Sequence, residues 1–440
     1  MPAAAQDGEI AQELAQMRAQ MAAMAQRIDT LEAQLDAARA EAQAATAAAG
    51  AATASAAAAT DAAKAAPATR IAFKGAPEIT GEGGWSFKPR GRVQMDAGFV
   101  DAPDGTGRPD GFGSTLRRAR LGVQGDIPGG FGYKFEVDFA GDAVTLTDAF
   151  LSYEDGALTV TAGQHNGFQS LEELTSSLHT SFIERAAFTD AFGFERRLGV
   201  SAEIAKGDLL LQGGVFTDNT SALPSGNLGF DGRVVFAPKL GKGQLHLGGS
   251  VHQYSIDAAG SSVRYRQRPL VAFTAERFIN TGNITAEGEF GYGLEAAYIG
   301  GPLHVAGETF WQRVDRPGAL ADPTFFGGYA EIGLFLTKGD TRGYKGGTFD
   351  RVKPRNPVGK GGFGAVQVNL RYDHLDLIDA GIVGGKQDGY QGSVVWTLTD
   401  YTKLMLNYGR MHYTDAVYPA AGGDRSYAVD VVGMRAQIDF

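Results

Sequence analysis

Lys88, Arg90 and Arg92 share one face of an alternating segment, and Arg118 and Arg120 share one face of the next. Arg185, Arg196 and Arg197 fall within a later loop. A guanidinium presents several N–H donors in a fixed fork, a good match for phosphate or carboxylate oxygens. Such groups at successive depths let an anion trade its hydration shell stepwise for protein donors without being trapped. The same alternation sends Glu287, Glu289, Glu295, Glu308 and Glu331 to a common face further along. A basic wall opposite an acidic wall would lay a field across the space between them, orienting polar solutes more than selecting anions. A plainer reading also stands for Arg185, Arg196 and Arg197. Glu172, Glu173, Glu184 and Glu195 lie in the same loop and can pair with them. His165 and His179 would add positive charge at mild acidity.

Other chemistries find little support. There is no Gly-x-Ser-x-Gly, P-loop or His-Glu-x-x-His motif. The seven histidines are scattered without metal-ligand spacing. The absence of cysteine removes disulfides, thiolate metal sites and cysteine nucleophiles together. No cofactor and no metal are expected. A net charge of −10 argues against nucleic acid. No run of 18 or more apolar residues marks a transmembrane helix. Met1 to Asp7 lack the basic and apolar regions of a signal peptide, so the chain reads as a mature form with an added initiator Met or as a trimmed form.

The elements that must carry these charges are strands. Toward the C-terminus, Val432, Met434, Ala436, Ile438 and Phe440 alternate with Gly433, Arg435, Gln437 and Asp439. Phe131, Tyr133, Phe135, Val137 and Phe139 likewise alternate with Lys134, Glu136 and Asp138. Such a period-two pattern has one apolar and one polar face. Its repetition predicts sixteen strands, starting near Phe87, Thr115, Phe131, Thr145, Leu158, Leu198, Leu209, Gly229, Gln244, Ile284, Leu303, Phe325, Gly364, Gln391, Thr402 and Tyr427. Tight turns such as Asp155-Gly156-Ala157 and Lys206-Gly207-Asp208 alternate with long loops, the habit of a transmembrane β-barrel. Two stretches fit poorly: boundaries blur from Ser255 to Asn283, and Lys338 to Gly362 is too long for the short-turn rim.

The first 75 residues follow a different period. Ile10, Leu14, Met17, Met21, Met24, Ile28, Leu31 and Leu35 are spaced alternately four and three apart, the apolar seam of a coiled coil. The following Ala-rich stretch reads as a thin continuing helix or a flexible spacer ending at Pro67. The expected domains are therefore a coiled coil at 1–37, a spacer at 38–75 and a barrel at 76–440.

Three motifs in the barrel region resemble one family. The longest runs from Gly163-Gln164-His165-Asn166 through Ser170-Leu171-Glu172-Glu173-Leu174 and Phe182-Ile183-Glu184-Arg185 to Ala191-Phe192-Gly193-Phe194-Glu195-Arg196-Arg197. The second is Leu116-Arg117-Arg118-Ala119-Arg120-Leu121-Gly122, and the third joins Gly343-Tyr344 to Val352-Lys353-Pro354-Arg355-Asn356-Pro357. Together they resemble the phosphate-selective porins O and P of Gram-negative outer membranes. The resemblance implies an all-β barrel of sixteen antiparallel strands, a homotrimer, and a third loop, here Gly167 to Arg197, folded into the channel. That loop carries Leu171, Leu174, Phe182, Ile183, Phe188, Phe192 and Phe194, too apolar for a free surface loop. On this reading Glu172, Glu173, His179 and Glu184 belong to a constriction. The expected function is passive diffusion of small hydrophilic solutes or ions across the outer membrane, with anions such as phosphate as candidate cargo. The loop contains no Lys, so the family's name is not carried over as a substrate. The alternative is a structural protein whose N-terminal helix tethers the membrane to peptidoglycan from the periplasm. Expected partners are two further copies, outer-membrane lipid and lipopolysaccharide, and the barrel-assembly machinery acting on the strand that ends at Phe440.

Overall fold

The computed structural model describes residues 3–64, 69–257 and 261–440, and the chain divides into a helical unit and a barrel unit that begins at Thr69. The first unit is one helix, α1 (Ala3–Lys64), of 62 residues. Its Ala-rich half continues the helix, because Ala is the strongest helix former and no Pro interrupts before Lys64. Pro67, the expected stop, lies outside the described residues. The seam from Ile10 to Leu35 is unpartnered, with exposures from 45% at Leu14 to 64% at Met21.

The barrel unit opens with a hairpin, Arg70–Lys74 paired with Ala76–Thr80, whose second strand joins the barrel through Ile79 and Phe87. Residues 70–75, expected as spacer, thus belong with the sheet. Sixteen strands follow: β1 (Ser86–Asp101), β2 (Gly111–Ile127), β3 (Phe131–Asp138), β4 (Thr145–Asp155), β5 (Leu158–Asn166), β6 (Arg196–Lys206), β7 (Leu209–Phe216) and β8 (Leu228–Phe236). The second half comprises β9 (Gly243–Ser255), β10 (Gly288–Gly300), β11 (Leu303–Asp315), β12 (Thr324–Phe335), β13 (Ala365–Asp379), β14 (Ile382–Thr399), β15 (Thr402–Thr414) and β16 (Tyr427–Asp439). Each pairs antiparallel with its neighbours, and β16 closes on β1 from Asp430 opposite Asp101 to Asp439 opposite Arg92. Phe440 extends the closure by exchanging backbone hydrogen bonds with Gly91 at 3.0 and 3.1 Å.

Alternation sorts the faces as expected. Val432, Met434 and Ile438 are exposed on the outside, while Arg435, Gln437 and Asp439 are buried inside. Phe131, Phe135 and Phe139 point out, opposite the buried Glu136 and Asp138. The rims obey the short-and-long rule with two exceptions. On the short-turn rim, residues 336–364 form a long excursion with its own hairpin, Gly343–Lys345 against Thr348–Asp350. On the long-loop rim, β13 and β14 are joined by Ala380 and Gly381 alone, with φ of 47° and 81°. Positive φ at both central residues matches the twist of the flanking strands and makes a tight hairpin. That turn explains why β14 starts at Ile382, well before the expected Gln391. The tenth strand starts at Gly288; Ile284–Thr285 instead pairs with Ser262–Val263 inside the loop 256–287.

Three long segments, 167–195, 261–287 and 336–364, lie against inward-facing wall side chains. Phe188 stacks on Phe310 and Tyr329, Tyr265 meets Phe325 edge-on, and Phe278 stacks on Tyr413. One contiguous apolar core therefore occupies the inside of the barrel near β10 to β16.

Closure is the step most sensitive to volume. At Gly98 of β1, any Cβ would run into the Val432 carbonyl of β16. Overpacking of this kind costs about 1–3 kcal/mol. Gly98→Val is therefore expected to lower the yield of the folded form on unheated gels in detergent, whereas Ala97→Val, one position along β1, leaves it near wild type.

Candidate functional site

The basic wall is built from β1 to β6. Arg90, Arg92, Gln94 and Asp96 follow one another inward along β1. On β2 the register slips: Gln94 opposes Arg118 but Met95 opposes Leu116, leaving Arg117 as an extra residue. Such a bulge bends the strand and re-aims its side chains, and here Arg117 and Arg118 both serve the interior. Strict alternation had missed Arg117. It binds Glu184 of the inserted loop through two bonds of 2.7 and 3.0 Å. Arg92 and Arg120 share Glu136 at 3.3 and 3.2 Å, and Arg120 also holds Asp138 at 2.8 Å. Lys134 and Arg196 share Asp148 at 2.6 and 2.8 Å. Arg118 donates to Gln94 at 2.9 Å and Arg90 to Gln124 at 2.5 Å. Among the described residues no carboxylate lies within ion-pair distance of either. Arg435 of β16 holds Asp96 at 2.7 Å and reaches Glu184 at 3.2 Å, so eight cations, Arg90, Arg92, Arg117, Arg118, Arg120, Lys134, Arg196 and Arg435, stand beside five carboxylates, Asp96, Glu136, Asp138, Asp148 and Glu184.

The segment 167–195 contains two short helices, α2 (Leu171–Leu174) and α3 (Ala187–Ala191). Leu171, Phe182, Ile183, Phe188 and Phe192 are all buried. Burying a large apolar side chain is worth about 1.5–3 kcal/mol, so five contribute on the order of 10 kcal/mol as an upper bound. Packing therefore sets where the segment lies, and polar contacts fix its register. Glu308 of β11 accepts the backbone N–H of Leu171 and Glu172, both at 2.8 Å. Asp373 of β13 accepts that of Ala187 at 2.9 Å. Glu172 accepts the Ala186 N–H at 2.9 Å and pairs with Arg371. On the far side, Lys403 donates to the Leu178 carbonyl at 3.0 Å and Gln94 to that of Ser177 at 3.1 Å.

The three arginines assigned to this loop serve different purposes. Arg185 donates to the carbonyls of Glu172, Glu173 and Thr175 at 2.9 to 3.0 Å and pairs with Glu173 at 3.3 Å, stapling the loop to itself. Arg196 and Arg197 are the first residues of β6 rather than loop residues. Arg196 belongs to the wall network, and Arg197 lies 3.8 Å from the centre of the Tyr254 ring.

The acidic wall needs correction. Glu289, Glu295, Glu308 and Glu331 do face inward, but all are buried beneath the inserted segments. A carboxylate removed from water requires partners, and each has them. Glu295 holds Arg233 through two bonds of 2.7 Å and His246 at 3.1 Å. Glu331 holds Arg371 at 2.8 Å, with Arg342 at 3.4 Å. Glu289 binds Tyr265 and Gln312. Glu287 precedes β10 and is exposed, apart from the other four. Buried and partnered, these four carboxylates do not make a bare acidic surface. Arg233 and Arg371 went unread although both sit at inward positions of their strands; Arg342 lies in an irregular segment where no period could reveal it.

Polar space remains beside the basic wall. A cavity of about 210 Å³ is lined by Arg117, Glu173, Glu184, Arg185, Asp190 and Arg268 among others. A second of about 380 Å³ toward the short-turn rim includes Lys74, Lys88, Arg90, Arg92, Arg351 and Lys353. Burial pushes the Glu184 carboxyl up, but Arg117, with Arg118 and Arg435 behind it, overcomes this and holds it well below the usual carboxylate range. Burial raises Glu173, and Arg185 offsets only part of that. Burial, reinforced by Arg351 and Lys403, lowers His179 to about 3, so it is neutral at mild acidity, contrary to expectation. His165 is enclosed by Ser201 at 2.8 Å and the rings of Phe150, Phe168 and Phe216.

The family described as phosphate-selective porin O and P matches residues 87–440. A protein of Caulobacter vibrioides described only as uncharacterized is 50% identical over 385 residues, spanning 84% of this chain and 77% of its own length. Among solved structures, an anion-selective porin from Comamonas acidovorans superposes with a TM-score of 0.53 at 16% identity, covering 81% of this chain and all of that one. The outer membrane channel DcaP of Acinetobacter baumannii superposes with a TM-score of 0.51 at 15% identity, covering 82% and 99%. At these identities the likeness is one of fold: the closed sixteen-stranded antiparallel barrel.

The pH behaviour of two loop groups follows from their environments. A buried neutral His179 favours the folded state above its unfolded pKa of about 6.5, and that contribution is lost as pH falls toward 3 and the unfolded chain takes up the proton. Within the folded protein its charge does not change between pH 8 and 5. His179→Gln is therefore expected to leave the pH profile of ion selectivity unchanged over that range. Loss of an inflection near pH 6.5 would show a charged His179 in the passage. Glu184 contributes stability above its unfolded pKa of about 4.3, lost only as pH falls well below that. Glu184→Gln removes the partner of Arg117, so anion preference should rise in reversal-potential measurements.

Proposed function

This chain belongs to the phosphate-selective porin O and P family of outer-membrane porins, and on that premise we propose that it is a diffusion channel for small hydrophilic solutes in which anions are favoured. The observation that carries the reading is the surplus of cations over carboxylates on the β1 to β6 wall, with Arg90 and Arg118 bound only by amides. Arg90 is half-buried and offers a passing anion donors that no carboxylate among the described residues occupies, with Arg118 buried beside it adding positive charge, in a setting where guanidinium forks replace lost water. The acidic groups of β10 to β12 lie behind the inserted segments and are partnered, so they do not offset that preference. The segment 167–195 narrows the passage, with Glu173, Glu184 and Arg185 on its half-buried side. Phosphate is one candidate among small oxyanions; its selection rests on the geometry around Arg118.

The protein assembles as a homotrimer. The exposed seam of α1 supports this, since a strict alternation of four and three is satisfied by parallel copies and three barrels raise the local concentration of their helices. We place α1 on the periplasmic side, because β1 begins at the short-turn rim. A second reading, a tether to peptidoglycan, draws support from the length of α1: 62 residues reach roughly 93 Å at about 1.5 Å per residue. The outer apolar face meets lipid and lipopolysaccharide, and the strand ending at Phe440 is the segment presented to the barrel-assembly machinery.

In planar bilayers, the reversal potential in a KCl gradient should report anion preference. The double substitution of Arg118→Ala and Arg120→Ala should move it toward cations by a several-fold change in permeability ratio. A potential unmoved by the pair would overturn the assigned anion path. Because the chain has no cysteine, Leu31→Cys is a clean probe of assembly. Mild oxidation should give disulfide-linked dimers from the intact protein, while Arg39→Cys, off the seam, gives far fewer.

A further inference from the structure

The excursion at 336–364 is the one connection that breaks the short-turn rule, and it does not hang free. Its Arg342 is buried and reaches the tip of the segment 167–195. One guanidinium nitrogen donates to the Ser181 hydroxyl and the other to the His179 carbonyl at 3.2 Å. The guanidinium carbon lies 3.9 Å from the centre of the Phe349 ring, and Glu331 stands 3.4 Å away. The Phe349 N–H donates to the Thr175 hydroxyl at 3.2 Å. The excursion is itself anchored, since the Gly347 carbonyl accepts from Arg233 at 2.9 Å.

The tip is thus held from two sides. Groups on barrel strands take Ser177, Leu178 and Thr180: Gln94 and Arg92 from β1, Lys403 from β15 and Gln437 from β16. The excursion takes Thr175, His179 and the Ser181 hydroxyl, while the Ser181 carbonyl accepts from the Ser393 hydroxyl of β14 at 2.7 Å. Wall contacts come from strands locked in a closed barrel, whereas Arg342 stands on an irregular segment and joins the tip to Glu331 of β12 and His304 of β11 at 3.4 and 3.0 Å.

We propose that Arg342 is a positioning residue for the inserted segment, holding its tip at one depth so that the passage has a single width, and that residues 336–364 are the support through which it does so. This rests on the reading of 167–195 as the narrowing of a channel. Arg342 is buried and engaged with protein partners, so its role is separable from that of the half-buried Arg90.

The test compares wild type, Arg342→Ala and Arg342→Lys in single-channel recordings, together with hydrogen exchange over residues 175–185. Arg342→Ala should turn one quiet conductance level into flicker between levels, leave the reversal potential at the wild-type value, and speed exchange at 177–181 by about tenfold or more. Arg342→Lys keeps the charge but not the fork, so it should fall between the two. A quiet Arg342→Ala channel with unchanged exchange would overturn the proposal. So would a shift in reversal potential as large as that of the Arg118→Ala, Arg120→Ala pair, which would place Arg342 in the passage. If Arg342→Ala does not fold, Ser181→Ala, which removes only the accepting hydroxyl, decides by the same exchange measurement: faster exchange supports the proposal and unchanged exchange overturns it. Absence of current in wild type would defeat the channel reading, and the exchange comparison would still decide the clamp.

Discussion

Everything in the barrel depends on closing β16 against β1. In hydrocarbon an unpaired N–H or C=O has no water to turn to, so a sheet that spans a membrane can leave no edge. The pairing from Asp430–Asp101 to Asp439–Arg92, extended by Phe440 and Gly91, meets that demand. It also explains why Gly98 meets the Val432 carbonyl so closely. Once the backbone is satisfied by its neighbours, side chains are free to divide by parity, apolar outward and polar inward.

An interior defined in this way creates a second demand. Inward charges such as Glu295, Glu308, Glu331 and Asp373 lose their water when segments pack over them. They recover partners from other strands, as Glu295 does from Arg233, or from the backbone of the inserted segment, as Glu308 and Asp373 do. The inserted segment is stabilised mainly by buried Phe and Leu side chains, and its polar contacts set which residue meets which. The barrel wall and its contents are therefore mutually dependent: the wall supplies acceptors for loop N–H groups, and the loop supplies Glu184 to wall arginines.

Much of this was legible in the sequence because alternation is a local signal. Sixteen strands, the outward Phe131, Phe135 and Phe139, and the inward Arg90, Arg92, Arg118 and Arg120 all follow from period two. The long helix follows from heptads and Ala propensity. What stayed hidden involved a change of period or contacts distant in sequence. Arg117 turns inward only because a bulge inserts one residue. The start of β14 was displaced because Ala380 and Gly381 make a tight turn on the rim where long loops were expected. Glu289, Glu295, Glu308 and Glu331 do point inward as parity gave them, whereas Glu287 lies outside its strand and is exposed; direction alone cannot reveal that Arg233 and Arg371 neutralise Glu295 and Glu331 or that the inserted segments cover the wall.

The bulge on β2 has a further consequence. A regular strand delivers one inward side chain about every 6.6 Å along its length, which caps how densely it can place charge. By inserting Arg117 beside Arg118, the chain doubles that density over one step. The added guanidinium is the one that receives Glu184 from the loop, so the bulge supplies a binding place for the inserted segment without using up Arg118. Removing the extra residue, with every arginine retained, would turn one of the two away from the interior and cost the loop its partner while leaving the total charge untouched.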